Sequence, residues 1–190
     1  MKILALNGSP KNNGASATIM SALNAKLAAK GHGVKRYDLN SLEMRGCQEC
    51  CVCKKKKTDS CCIQDGLAEP LEELKSVDAV VVATPVFYGD VSAQLKCFID
   101  RTWSYFCGEG FSAGHLPRGR KLVFIMSYGY DDPSIYDALW ERYRMYFNLF
   151  GFDECRLIKA YGAVHQAPEI HNREEAEGLV EAAAAAFGQA

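Results

Sequence analysis

The sequence has almost no net charge: 22 Lys and Arg side chains stand against 23 Asp and Glu, a formal balance of -1. A chain so balanced lacks the basic footprint by which a dedicated nucleic-acid binder holds a phosphate backbone, so no nucleic-acid partner is expected. It also lacks any apolar run near the ~20 residues that span a bilayer, and Met1 to Leu6 gives way to Asn7-Gly8-Ser9-Pro10 too soon for a secretory leader. The expectation is a soluble, cytoplasmic protein without a membrane partner. Missing as well are the G-x-x-x-x-G-K-[ST] loop of triphosphate binders, the G-x-G-x-x-G of dinucleotide folds, and the G-x-S-x-G and C-x5-R nucleophile motifs. The four histidines form no H-E-x-x-H or comparable pattern. With no repeat, low-complexity tract or Pro/Ser-rich linker to divide it, the sequence reads as one domain over residues 1–190.

Against these absences stand nine cysteines. A chain of this length buries roughly 70% of the surface that it exposes unfolded, so its core needs no disulfide or metal. In a reducing compartment closely spaced cysteines bind metal or do redox chemistry more often than they cross-link. Six of the nine fall between Cys47 and Cys62, in a segment of about 46–63 that reads as an insertion loop. Cys97 and Cys155 read as small buried hydrophobes. Cys107 lies in an aromatic-rich loop with Trp103, Tyr105, Phe106 and Phe111.

Strand and helix patterns alternate along the chain. Ile3 to Leu6, Ala79 to Ala83 and Leu122 to Met126 are short continuous apolar runs, as expected of strands covered on both faces. Val34 to Leu39 and Cys155 to Tyr161 are interrupted by Lys35, Arg36, Arg156 and Lys159, which assigns them to the edges. Ile19, Met20, Leu23 and Leu27 give a helical stripe after Ser16. A second helix is expected from Asp90 as N-cap, with Val91, Leu95, Phe98 and Ile99 buried. A third starts at Asp132-Pro133, buries Ile135, Leu139, Tyr143, Phe147 and Phe150, and stops at Gly151. The last opens with Asn172 and Glu175 in capping-box-like register and stops at Gly188, and a weaker helix is expected over Leu67 to Lys75. Five strands with the second and fifth at the edges fit an open α/β doubly wound parallel sheet of order 2-1-3-4-5. Its ligands bind beyond the carboxyl ends of the strands, where the order reverses.

The loops at that edge are the ones to inspect. Asn7 to Ser16 leads from strand to helix, and its small residues, the Ser9 and Ser16 hydroxyls, Lys11 and the helix dipole suit a phosphate cradle, the alternative being a plain polar strand-to-helix turn. After the third strand, Thr84 to Asp90 holds Phe87 and Tyr88 between Pro85 and Gly89, two aromatics able to flank a flat ring or to pack on a helix. Ser127-Tyr128-Gly129-Tyr130 follows the fourth strand as a third small and aromatic loop.

Here the sequence resembles the flavodoxin-like NAD(P)H-dependent FMN reductases. Asn-Gly-Ser-Pro-Lys with Gly14 and Ser16 looks like that family's phosphate loop, although Lys11 stands where arginine is common and Ala15 where asparagine is frequent. Ala83 to Lys96, closing with Ile99-Asp100-Arg101, looks like its isoalloxazine loop and following helix. The resemblance implies a flavodoxin-like fold and FMN, with Ser9, Lys11, Asn13, Gly14 and Ser16 on the phosphate. Pro85, Val86, Phe87, Tyr88 and Gly89, with Ser127, Tyr128 and Gly129, would surround the ring. It names no catalytic side chain; Tyr88 and Tyr128 are the nearest polar aromatics.

Cys47, Cys50 and Cys53 are each separated by two residues and Cys61 follows after seven, so one compact loop supplies four thiolates, enough for a cubane cluster. The spacing resembles the C-x2-C-x2-C-x7-C signature of the iron-sulfur flavoproteins, a branch of the same reductases. That resemblance implies a [4Fe-4S] cluster on Cys47, Cys50, Cys53 and Cys61. Cys62 in place of Cys61, a Zn(Cys)4 site, a redox-active disulfide and a vestigial loop stay open. Lys54 to Lys57 either offset the charge of the thiolates or form a solvated face. The implied activity is electron transfer from NAD(P)H or a ferredoxin-like donor to a small-molecule or protein acceptor, in a homodimer or tetramer. A cluster-free FMN or quinone reductase and a non-enzymatic electron carrier are the alternatives.

Overall fold

The computed structural model describes residues 1–162 and 170–188. Its elements run β1 (Lys2–Asn7), α1 (Ala15–Ala29), β2 (Gly33–Asp38), α2 (Val52–Lys55), α3 (Ala68–Leu74), β3 (Ala79–Phe87), β4 (Asp90–Val91), α4 (Ala93–Arg101), β5 (Arg120–Ser127), α5 (Asp137–Leu149), β6 (Phe152–Ala160) and α6 (Arg173–Ala186). The five long strands are parallel, in the order β2-β1-β3-β5-β6, which is the expected 2-1-3-4-5 order once β4 is set aside. Alternation along the strands decides the layers. Leu4, Val82 and Phe124 face α3, α4 and α5, whereas Ile3, Val81 and Ile125 face α1 and α6. Each such fully buried side chain stabilises the fold by about 1.5–3 kcal/mol before the entropy cost of ordering it. No helix among the described residues is long and apolar enough to cross a membrane.

The short additional strand β4 corrects the expected loop after the third strand. β3 continues through Pro85, Val86 and Phe87, and β4 pairs antiparallel with its end, Val86 against Val91 and Phe87 against Asp90. Tyr88 and Gly89 form the two-residue turn, with φ of 50° and 78°. Two successive positive φ angles match the hand of strand twist, so this pair can close a hairpin that an ordinary turn would splay. Asp90 and Val91 therefore belong to a strand, and the cap of α4 is Ser92, whose Oγ accepts from the Leu95 amide at 3.3 Å.

Two other helix starts differ from expectation, one in position and one in its bonds. The Asp132 carboxylate accepts from the Ser134 amide and hydroxyl, which commits it to a turn, so α5 begins only at Asp137 and Ile135 is left exposed. Asn172 precedes α6 as expected, but its side chain accepts from the Tyr161 amide at 3.1 Å and donates to the Lys159 carbonyl at 2.9 Å. It ties α6 to β6 instead of capping its first turn.

Candidate flavin and thiolate sites

The loops after β1, β2, β3 and β5 leave the sheet at one edge, beside the reversal of order between β1 and β3. The first is fixed by its neighbours. The Gly8 amide donates to the Ala83 carbonyl at 2.7 Å and the Gly8 carbonyl accepts from Ser92 Oγ at 2.6 Å. A Cβ on Gly8 would stand 2.8 Å from Leu95 Cβ and 2.9 Å from Ser92 Oγ, so only glycine allows α4 this close. Behind the loop, buried Asn7 accepts from the Ser9 amide at 3.1 Å and donates to Asp38 at 2.8 Å. Burial disfavours the Asp38 carboxylate, but the Asn7 amide and the Arg36 guanidinium outweigh it and hold its pKa below the ordinary range.

Within the loop, Ser9 Oγ accepts from the Lys11 amide at 3.1 Å and donates to the Lys11 carbonyl at 2.8 Å. The first amides of α1 have no carbonyl partner in the helix by construction, and Gly14 precedes them in extended geometry. Ser16 sits in that first turn, and its hydroxyl is buried without a hydrogen-bond partner. A buried orphan hydroxyl beside the first amides of a helix is a donor set suited to an anion. These residues fit a phosphate. Lys11 and Asn13 are exposed at the rim.

The β3-β4 hairpin stands next to this loop. Its turn end is fixed through Asp90, which accepts from the Tyr143 hydroxyl at 2.7 Å and pairs with Arg142 at 3.0 Å. Pro85 and Val86 are half-buried, while Phe87, Tyr88 and Gly89 are exposed. Ser127 is buried and Gly129 exposed. Tyr128 is buried, its hydroxyl donates to the Pro133 carbonyl at 3.1 Å, and burial pushes its pKa up to about 12. Its hydroxyl is thus engaged within the fold at neutral pH.

Six cysteines, Cys47, Cys50, Cys51, Cys53, Cys61 and Cys62, line one small pocket with Arg101 and Trp103. The sulfurs of Cys50 and Cys62 lie 3.6 Å apart. The Val52 amide and the Cys62 thiol lower the Cys50 pKa, whereas Cys50 in turn raises that of Cys62, and burial raises Cys53. The buried Arg101 guanidinium donates from Nε to Cys61 Sγ at 3.0 Å. The lysine run divides: Lys55, Lys56 and Lys57 are exposed, but Lys54 is half-buried, lies 4.1 Å from the Trp103 ring centroid and donates to the Phe106 carbonyl at 2.7 Å. The donor set is all thiol, with cationic side chains beside it, and fits a soft metal or an iron-sulfur cluster chemically. Among the described residues no three metal-ligating side chains are already gathered at coordinating distances. An open cleft of about 490 Å³ joins this region to the hairpin, lined by Cys47, Glu49, Asp90, Trp103, Arg142 and Tyr146 among others.

Of the other cysteines, Cys155 donates to Asn148 at 3.2 Å, and burial pushes its pKa up to about 11; it and Cys97 pack against the core. Ser92, Asn7, Asp38 and Arg101 are supporting residues to which the sequence motifs assign no role. Ser92 carried a local signal, a cap-type residue before Leu95, Phe98 and Ile99. Arg101 carried one too, a cation close behind that apolar stripe.

Comparison with known proteins agrees with this geometry. Residues 1–135 match the family described as NADPH-dependent FMN reductase. An iron-sulfur flavoprotein of Methanocaldococcus jannaschii is 36% identical over 101 residues, 53% of this chain and 50% of that protein. One of Archaeoglobus fulgidus is 32% identical over 117 residues, 62% of this chain and 49% of that protein. The chain spans about half the length of the curated relatives it matches. Among solved structures, an NAD(P)H:quinone oxidoreductase from Methanothermobacter marburgensis superposes with a TM-score of 0.77 at 19% identity, covering 100% of this chain and 97% of that one. An FMN-dependent NADH-azoreductase from Bacillus anthracis, in complex with FMN, gives 0.72 at 18% identity, covering 99% of each chain. These two share the fold. The family match takes in β1 through β5 and every loop of the edge described above, and by it the chain belongs to the NADPH-dependent FMN reductase family, an oxidoreductase family.

Proposed function

We propose that the chain is an FMN-dependent oxidoreductase of the iron-sulfur flavoprotein type, carrying electrons from NAD(P)H or a ferredoxin-like donor to a small-molecule or protein acceptor. The observation that carries this reading is the pair of sites on one sheet edge: a phosphate cradle with an unpartnered buried hydroxyl at Ser16, and a pocket of six cysteines, bridged by α4. In this reading Ser9, Lys11, Asn13, Gly14 and Ser16 bind the FMN phosphate, helped by the dipole of α1. Pro85 to Gly89 and Ser127 to Gly129 bracket the ring, and the Asp90 anchor keeps the hairpin upright against it. Cys47, Cys50, Cys53 and Cys61 would hold a [4Fe-4S] cluster. When bound, FMN supplies both hydride and single-electron chemistry, and the cluster supplies single-electron transfer. The cleft between hairpin and cysteine loop has the size of a small-molecule site and is the place for an acceptor. Exposed Trp103, Met145, Tyr146 and Leu149 supply apolar surface for the homodimer or tetramer.

A second reading is favoured by one distance. Two thiolates on a single tetrahedral zinc stand about 3.8 Å apart, near the 3.6 Å between Cys50 and Cys62, which suits zinc or a dithiol in a cluster-free FMN or quinone reductase. Anaerobic purification followed by flavin, iron, sulfide and zinc assays separates the two. Iron with sulfide supports the first; zinc without sulfide overturns it. Rapid reduction by NADH or NADPH marks a reductase, and reduction by ferredoxin alone marks an electron carrier. Failure to bind FMN under any condition overturns both.

A further inference from the structure

We propose that Arg101 is the positioning residue of the cysteine loop: it holds Cys61, in preference to Cys62, as the fourth thiolate of the cluster and raises the reduction potential of that cluster. The inference rests on the iron-sulfur reading above and deepens it.

The Arg101 side chain is 0% exposed, and its hydrogen bonds go to the segment that carries the cysteines and to the residues at its ends. Nε donates to Cys61 Sγ at 3.0 Å, Nη1 to Asp65 Oδ2 at 2.9 Å and to the Arg45 carbonyl at 3.0 Å, and Nη2 to the Ile63 carbonyl at 2.8 Å. Enclosing a guanidinium costs several kcal/mol unless its donors are met. Here the loop meets them, so Arg101 has its place only when the loop is closed over it. One nitrogen of that fixed fork addresses a sulfur, and the sulfur belongs to Cys61.

Cys62 is placed differently. It is exposed, and its sulfur lies 3.6 Å from that of Cys50. In a cubane each thiolate binds a different iron, so ligand sulfurs do not stand in contact. With Cys50 as a ligand, Cys62 duplicates an occupied corner, whereas Cys61 is the cysteine whose sulfur Arg101 holds. A cationic N–H on a ligand sulfur draws electron density from it and stabilises the reduced cluster, which raises the potential.

The test uses the full chain, reconstituted anaerobically with iron and sulfide and loaded with FMN. Wild type should take up about four iron and four sulfide per chain. Cys61→Ala should lose most of that iron and Cys62→Ala should keep it. Arg101→Gln should shift the midpoint in an EPR-monitored titration to more negative values, and Arg101→Lys, which keeps one cationic donor, should recover part of the shift. Flavin content and circular dichroism report that each variant is folded. Should Arg101→Gln fail to fold, the lysine variant and the two alanine variants decide. Iron lost from Cys62→Ala and kept by Cys61→Ala overturns the inference, as does a wild-type potential in the arginine variants. A wild-type chain that takes up no sulfide overturns the iron-sulfur reading itself, whereas a normal wild-type cluster with unmoved arginine variants overturns this inference alone.

Discussion

The loop from Asn7 to Ser16 and the loop from Gly46 to Ile63 leave the same edge of the sheet, the first held by the sheet itself and the second by side chains that reach into it. Gly8 is bonded to Ala83 of β3 and to the cap of α4, and no residue of that loop has a positive φ. The cysteine loop instead contains Glu49, Cys51 and Lys57 at φ near 50°, and is held by Arg101, by Lys54 and by the Asp59–Lys75 pair. A left-handed conformation costs a non-glycine residue about 1–2 kcal/mol. The first loop is therefore formed before its ligand arrives, and the second keeps a conformation that its contents must help to support.

Substitutions should expose that difference, beginning with the most severe. Gly8→Ala drives a Cβ into Leu95 and Ser92, and should destabilise the fold by about 1–3 kcal/mol and abolish FMN binding, read by urea denaturation and flavin fluorescence. Ser92→Ala removes the α4 cap and the bond to the Gly8 carbonyl, for a loss of about 1–2 kcal/mol and weaker FMN binding. Ser16→Ala should leave stability nearly unchanged, because its hydroxyl has no partner in the protein, yet lower FMN affinity by about fivefold to tenfold, the worth of one hydrogen bond. Unchanged flavin affinity would remove Ser16 from the cradle. In the cysteine loop the sign should reverse: Glu49→Gly relieves a positive φ and should stabilise the cluster-free chain by about 1 kcal/mol in the same denaturation assay.

Cysteine chemistry sharpens the contrast further. At pH 8 iodoacetamide should label Cys50, whose pKa is lowered by the Val52 amide and Cys62, long before Cys155, which burial pushes up to about 11. Cys155 also holds its proton more tightly folded than unfolded. Its contribution to stability is therefore present below about pH 9 and is lost as pH rises toward 11. Thermal melts across that window should show the decline, and Cys155→Ser should flatten it.

Much of this was legible in the sequence because it depends on period and composition. Continuous apolar runs located β1, β3 and β5, and the lysines and arginines of β2 and β6 assigned the edges. What was not legible depends on residues that meet only in three dimensions. Asp90 looks like a helix cap because Gly89 precedes it, but Tyr143 and Arg142, some fifty residues away, hold it in a hairpin. The Asp132 carboxylate is a plausible cap until Ser134 offers it a nearer amide. Lys54 to Lys57 read as one charge run, and only the fold divides Lys54 from the rest, by placing the Trp103 ring and the Phe106 carbonyl within reach.

The helix α4 touches both loops, Ser92 at its first cap and Arg101 as its last residue. Nine residues at about 1.5 Å each make a rod of about 13 Å. Such a rod is a ruler with a phase as well as a length. Adding or deleting one residue changes its span by only about 1.5 Å but turns its far end by about 100°, which would swing the guanidinium away from Cys61 while leaving Gly8 untouched. The chain can vary the composition of α4 wherever packing allows, but its residue count is constrained from both ends at once.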